Sequence, residues 1–171
     1  ACTYMRAGQW VVCFLAVSLL TFLPTVEADD DRANATPLSN GVSTNGYVCI
    51  DDGCSPEDEI DWWKIYAYKG DIVQIGFSGS MNNGAWWCIN DGWNADFSLH
   101  DSGGSEVASQ SMSDASSSTT LSTTVPTAGY IYAKIKGTGS LCNDGVDYTL
   151  TPSINQDNRD TDEDGFIDSE D

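Results

Sequence analysis

From Pro37 to Pro152 the chain is a succession of short runs in which every second residue is apolar, and no stretch sustains the period of a helix. Side chains two apart share one face of a strand, so this pattern assigns a core face residue by residue. Trp63, Ile65 and Ala67 fall on one face, and Val73, Ile75 and Phe77 do so in the next run, across a turn at Lys69-Gly70. Phe97 with Leu99, Ile131 with Ala133 and Ile135, and Tyr148 with Leu150 repeat the pattern. Trp62 points the other way from Trp63. The pairs Asn40-Gly41, Asn45-Gly46, Asn83-Gly84, Asp91-Gly92, Gly103-Gly104 and Asp144-Gly145 supply turn chemistry between runs. About eight strands at this spacing predict an all-β fold, an antiparallel, jelly-roll-like β-sandwich over 37–152. The Ser- and Thr-rich stretch from Ser109 to Thr124 reads as a flexible loop followed by an edge strand.

Residues 1–28 read as a signal peptide. Met5-Arg6 gives a positive start, Trp10 to Leu23 is an apolar run, and Val26-Glu27-Ala28 places cleavage before Asp29. Residues 1–4 look like upstream sequence, and 29–36 like an acidic, polar linker. An uncleaved anchor is the competing reading, although the run is short for a spanning helix. Removing the leader takes one acid (Glu27) and one base (Arg6), so the net charge stays at −19. Such a chain is repelled by nucleic acid and by anionic membranes, and it suits a saline or calcium-rich exterior.

Four cysteines remain after the leader: Cys49, Cys54, Cys88 and Cys142. In an exported protein an even count reads as two disulfides. Three pairings are open, and Cys49–Cys54 with Cys88–Cys142 is preferred because Asp51-Asp52-Gly53 makes a tight turn between the first two. Zinc is the rival, without a CxxC pair or a histidine partner. Asn34-Ala35-Thr36 is a glycosylation sequon.

After Pro152 the hydrophobic pattern stops and 153–171 becomes an acidic tail. Asp160, Asp162, Asp164, Asp168 and Asp171 stand at positions 1, 3, 5, 9 and 12 of a loop whose sixth residue is Gly165. Hard oxygen ligands from alternate residues, a glycine for the sharp turn and a backbone carbonyl from Phe166 at position 7 are what calcium needs. The bland alternative is a solvated acidic run. Position 12 is Asp rather than the longer Glu, and the loop stops where the sequence stops, so further domains are expected beyond it.

Four stretches together resemble the pre-peptidase C-terminal family of bacterial and archaeal secreted proteins. They are Asp61-Trp62-Trp63-Lys64-Ile65 followed by Lys69-Gly70-Asp71, Asp96-Phe97-Ser98-Leu99-His100-Asp101 running into Gly103-Gly104, Pro126 to Ile135, and Asp147-Tyr148-Thr149-Leu150. The loop around Asp51-Asp52 and the segment Trp86 to Trp93 depart from that pattern. The resemblance implies a β-sandwich, often calcium-binding, that accompanies extracellular enzymes and has no catalysis of its own. It makes Asp61 and Asp96 candidate calcium ligands, against the plainer reading of turn and cap chemistry. The tail is similar to thrombospondin type 3 calcium repeats, with one repeat present.

Trp86, Trp87 and Trp93 surround Cys88, and two readings compete for them. They cover a disulfide and a small core, or they stack on sugars. No nucleophile is paired with a base: the chain's one histidine, His100, sits at a strand end beside Asp101. The sequence therefore points to a secreted or cell-surface, non-catalytic, calcium-binding module for adhesion, targeting or presentation. An accessory domain of an extracellular peptidase or hydrolase, and a carbohydrate-binding module using the three tryptophans, are the alternatives. An extracellular protein or polysaccharide is the expected partner, with neither nucleic acid nor insertion into a membrane.

Overall fold

The alternating runs pair edge to edge into two sheets, because each buries one face and needs a second apolar layer against it. The computed structural model describes residues 31–49, 58–82, 92–138, 145–156, 158–162, 164, 166 and 167. A 3₁₀ turn at Arg32–Asn34 precedes nine strands: β1 (Thr36–Pro37), β2 (Thr44–Val48), β3 (Ile60–Ala67), β4 (Ile72–Asn82), β5 (Asn94–His100), β6 (Glu106–Ser113), β7 (Ser118–Thr124), β8 (Gly129–Gly137) and β9 (Gly145–Asn155). One sheet has the order β1-β3-β8-β5-β6 and the other β2-β9-β4-β7. The short β1 runs parallel to β3, and the other strand pairs are antiparallel. The fold is the expected β-sandwich.

The inward residues are those that the alternation assigns. Trp63, Ala67, Val73, Ile75, Phe97, Leu99, Ala133, Ile135 and Leu150 are fully buried, and Ile65, Phe77, Ile131 and Tyr148 nearly so. Phe77 lies at the centre of the interface, 5.4 Å from Phe97 of the opposite sheet and 5.6 Å from Tyr148 beside it, both stacked. Each such ring stabilises the sandwich by about 1.5–3 kcal/mol through the apolar surface it removes from water.

The Ser-rich stretch departs from expectation. Ser109 to Ser113 is not loop but the second half of β6, the outer strand of its sheet, and β7 is the outer strand of the other. An edge strand needs few apolar anchors, and in β6 only Met112 is buried. Alternation therefore gives no signal there.

The two ends of the sandwich differ. At one, the turn Tyr68–Asp71 passes from β3 to β4 and meets the residues before β8: Gly70 N–H donates to Val125 O and Val125 N–H to Asp71 O, both at 2.9 Å. At the other, the connections carrying Cys54, Cys88 and Cys142 cross between sheets. An antiparallel bridge from Cys49 to Asp58 closes the first of these, and Cys49 itself is buried. Cys54, Cys88 and Cys142 lie outside the described residues, as does the leader.

Candidate metal centre

The tail begins as part of the sandwich. Asp160 pairs with Lys69 as an antiparallel bridge, its N–H donating to Lys69 O at 3.0 Å. Gly70 beside it has φ +84, and a Cβ there would collide with the carbonyl oxygen of Asn158. Only glycine admits both this backbone and this approach.

Two ion pairs fix the contact. Arg159 clamps Asp71 in two-pronged fashion, Nε to Oδ1 and Nη2 to Oδ2, each at 3.0 Å. Asp71 is fully buried and also accepts from Tyr68 N–H at 2.9 Å. The Arg159 guanidinium lies 4.6 Å from the centre of the Tyr68 ring, which covers it with an apolar face. Lys69 Nζ meets Asp160 Oδ2 at 2.8 Å.

From this root the chain curls through side-chain turns. Asp164 N–H donates to Asp162 Oδ1 at 3.3 Å, and Phe166 N–H donates to Asp164 Oδ1 at 2.8 Å. Each carboxylate bonds the backbone two residues on, the local chemistry that lets Asp favour turns. As a result, ligand oxygens of Asp160, Asp162 and Asp164 all lie within 4.8 Å of one another. Asp160 is buried and the other two are exposed. Three carboxylates at this spacing repel, and a hard divalent cation relieves the repulsion while accepting their oxygens. The donor set fits calcium. Phe166 is 63% exposed, which keeps its backbone near solvent. Asp168 and Asp171 lie outside the described residues.

The other sequence candidates separate. Asp61 shares the inward parity of Trp63 and is 1% exposed, whereas Asp96 shares the outward parity of Ser98 and is exposed. They occupy opposite faces of one sheet and do not converge on a common ion. Asp61 instead accepts a hydrogen bond from Tyr148 Oη, which in turn accepts from Trp63 Nε1 at 2.8 Å. Burial, reinforced by the negative Asp61, pushes the Tyr148 phenol well above its ordinary value. Asp96 accepts from Ser111 Oγ at 2.7 Å.

Trp93 corrects one reading. It is 2% exposed and tilts against Phe77 at 6.3 Å, so it is core and offers no face to a sugar. Trp86 and Trp87 lie outside the described residues. Asn34 is exposed at the end of the 3₁₀ turn. His100 packs on Trp62 at 5.1 Å, its Nε2 lies 3.0 Å from the Oγ of Ser98, a serine that is itself buried, and its Nδ1 lies 3.3 Å from the Gly104 carbonyl oxygen. Sequence reasoning assigns no role to Asp71, Lys69 or Arg159. The first two stand in the Lys69-Gly70-Asp71 turn motif, but nothing in the sequence ties that turn to Arg159.

No protein-family model matches the sequence, and no curated protein matches it. Among solved structures the chain is similar to a periplasmic inhibitor of g-type lysozyme, PliG from Aeromonas hydrophila, at 13% identity and TM-score 0.46, covering 70% of this chain and 95% of that one. It is also similar to the pre-peptidase C-terminal domain of a collagenase from Bacillus anthracis, at 12% identity and TM-score 0.45, covering 69% and 93%. Among the described residues no helix is long and apolar enough to cross a membrane.

Proposed function

We propose that the chain is an exported, non-catalytic β-sandwich that binds calcium at its tail and serves adhesion, targeting or presentation outside the cell. The observation that carries this reading is the convergence of Asp160, Asp162 and Asp164 at the point where the tail docks on the β3–β4 turn. Asp160, Asp162 and Asp164 would hold the ion, with Phe166 O, Asp168 and Asp171 completing the set that the loop spacing supplies. The ion would supply charge neutralisation. With the carboxylates neutralised, the tail stiffens and fixes the orientation in which the sandwich is presented.

Calcium titration followed by calorimetry tests this. A site of the weak extracellular kind, with Kd on the order of 0.1–1 mM, raises stability by about 1.4 kcal/mol at a tenfold excess of calcium over Kd. Asp160→Ala with Asp164→Ala is expected to abolish the response. Lys69→Gln is expected to tighten binding about two- to fivefold, because it removes a cation that holds Asp160 Oδ2 and lowers the local positive potential. A titration unchanged in the double variant leaves a plain acidic tail.

The same reading requires oxidised cysteines, and the strand anchors favour the pairing Cys88–Cys142. The connection holding Cys88 runs from Asn82 to Asn94, and the one holding Cys142 runs from Gly137 to Gly145. Asn82 pairs with Gly145, and Thr138 N–H donates to Asn94 O at 3.0 Å, so the two connections leave and rejoin the sheets side by side. Cys54 stands five positions after Cys49 in the sequence, between the two residues of the Cys49–Asp58 bridge. Intact mass of the leader-free chain is expected to rise by about four hydrogens on reduction, two per bridge. No change means free thiols and reopens the metal reading of the cysteines.

A further inference from the structure

The two outer faces of the sandwich differ in chemistry. The four-stranded sheet shows small polar residues such as Ser78, Thr120, Thr149 and Thr151. The outward residues of β3 and β8 are aromatic and cationic: Trp62, Lys64 and Tyr66 along one strand, Tyr130, Tyr132, Lys134 and Lys136 along the other. Their register sets Trp62 opposite Lys134, Lys64 opposite Tyr132 and Tyr66 opposite Tyr130.

The rings form a ladder. Trp62 lies 6.4 Å from Tyr132, Tyr132 lies 6.2 Å from Tyr130, and Tyr130 and Tyr68 each lie 5.4 Å from Tyr66. From Trp62 to Tyr68 this covers about 20 Å at the rise of an extended strand. Tyr66 and Tyr130 remain 47% and 42% exposed, a large share for rings of this size.

Cations are threaded through the ladder. Lys134 Nζ sits 5.3 Å from the Trp62 ring centre, Lys64 Nζ 5.5 Å from Tyr130, and the Arg32 guanidinium 5.3 Å from Tyr132. The chain has 26 acidic residues and only 7 Lys and Arg. Even so, among the described residues Lys64, Lys134 and Lys136 make no ion pair. Lys134 and Lys136 also form one wall of a groove of about 450 Å³ that runs on over β5 and β6 past Ser98 and Ser111.

Among the described residues the lysines that make no ion pair share this face, with Asp96 and Glu106 at its β5–β6 side, so a molecule of charge −19 repels anions least along β3 and β8. A file of rings, Tyr66 and Tyr130 exposed and Trp62 and Tyr132 half-buried, suits a linear ligand with apolar faces, and the interleaved ammonium groups favour an anionic one. Pyranose rings bearing carboxylates have both properties. Nucleic acid carries a phosphate on every residue, so the acidic remainder of the chain opposes it more strongly. We propose that the outer face of β3 and β8 binds an acidic polysaccharide, its sugar rings stacked on Trp62, Tyr66, Tyr130 and Tyr132 and its carboxylates paired with Lys64, Lys134 and Lys136. This site rests on the adhesive reading and gives it a ligand class; it uses none of the tail's carboxylates, although the ladder ends at Tyr68, on which Arg159 of the tail root packs.

The test is isothermal titration of the whole chain with polygalacturonate oligomers in calcium-free buffer, beside neutral cello-oligomers and a single-stranded oligothymidylate. Polygalacturonate is expected to bind most tightly and to weaken in about 0.5 M salt, where exposed charges are screened. The pair Tyr66→Ala with Tyr130→Ala and the pair Lys64→Gln with Lys134→Gln are each expected to weaken it about tenfold or more, with unchanged circular dichroism. Binding that both pairs leave intact overturns the proposal. Tighter binding of oligothymidylate overturns it, and so does a wild-type dimer in sedimentation that the tyrosine pair dissolves, which assigns the face to a second copy. Binding of neutral oligomers alone overturns the acidic assignment while the adhesive reading stands. Failure of the separate calcium titration strikes the tail site and leaves this one intact.

Discussion

Arg159→Ala is expected to cost the sandwich about 3 kcal/mol, measured as a fall in unfolding free energy by chemical denaturation. The magnitude follows from which partner stays behind. Asp71 has no exposure, and removing Arg159 takes away both prongs that neutralise it, leaving a buried carboxylate with the Tyr68 N–H. Breaking a buried pair from one side costs about 3–5 kcal/mol, and the low end applies because the Arg159 side chain keeps 23% exposure and water can partly replace it. Adding Asp71→Asn in the same chain removes the stranded charge and is expected to recover most of the loss. Arg159→Ala alone also loosens the root of the acidic tail, and on the calcium reading proposed above it is expected to lower calcium affinity in parallel. A loss below about 1 kcal/mol, the range of a surface pair, would show that the contact between tail and sandwich does not hold in solution. This contact is what makes the start of the acidic tail part of the fold rather than an appended run of acids.

How much of this was legible in the sequence depends on how local the cause is. The core was legible because alternation is a property of adjacent residues: Trp63, Ile65, Phe77, Phe97, Ile135 and Leu150 are all buried where parity puts them. The structure puts Asp61 inward with Trp63 and Asp96 outward with Ser98, as the same parity requires. It also turned Trp62 outward, but it could not show that Tyr130 and Tyr132 of a strand about 70 positions away would complete a ladder with it. The convergence of Asp160, Asp162 and Asp164 could be read because it is written in alternate positions of one short segment. Arg159 could not, since its partner Asp71 lies 88 residues earlier and an isolated arginine in an acidic run carries no pairing signal. β6 stayed hidden for the opposite reason. An edge strand is held by backbone bonds to its neighbour and needs little apolar patterning of its own.

The second large effect lies inside the core. Tyr148→Phe is expected to destabilise the protein by about 2–4 kcal/mol, although it removes a single oxygen and leaves the stacking on Phe77 in place. That oxygen joins two buried polar groups. It donates to Asp61, which is 1% exposed, and it accepts from the indole N–H of Trp63, which has no exposure. In the phenylalanine variant the carboxylate loses this donor and the indole loses its acceptor in the same dry site. The pH dependence gives an independent readout. Burial and the adjacent Asp61 hold the Tyr148 phenol protonated well above its ordinary value near 10. The unfolded chain therefore releases this proton first as pH rises, the native state binds more protons, and stability falls with pH. The contribution is complete below about pH 10 and is lost above it, with a limiting slope of about 1.4 kcal/mol per pH unit. Subtracting the stability profile of Tyr148→Phe from that of the wild type isolates the term from those of the exposed tyrosines. The difference is expected to be flat between about pH 7 and 9 and to shrink beyond about pH 10. A difference that stays constant through the alkaline range would mean that Tyr148 titrates alike in both states, and its phenol would then not be sealed against Asp61.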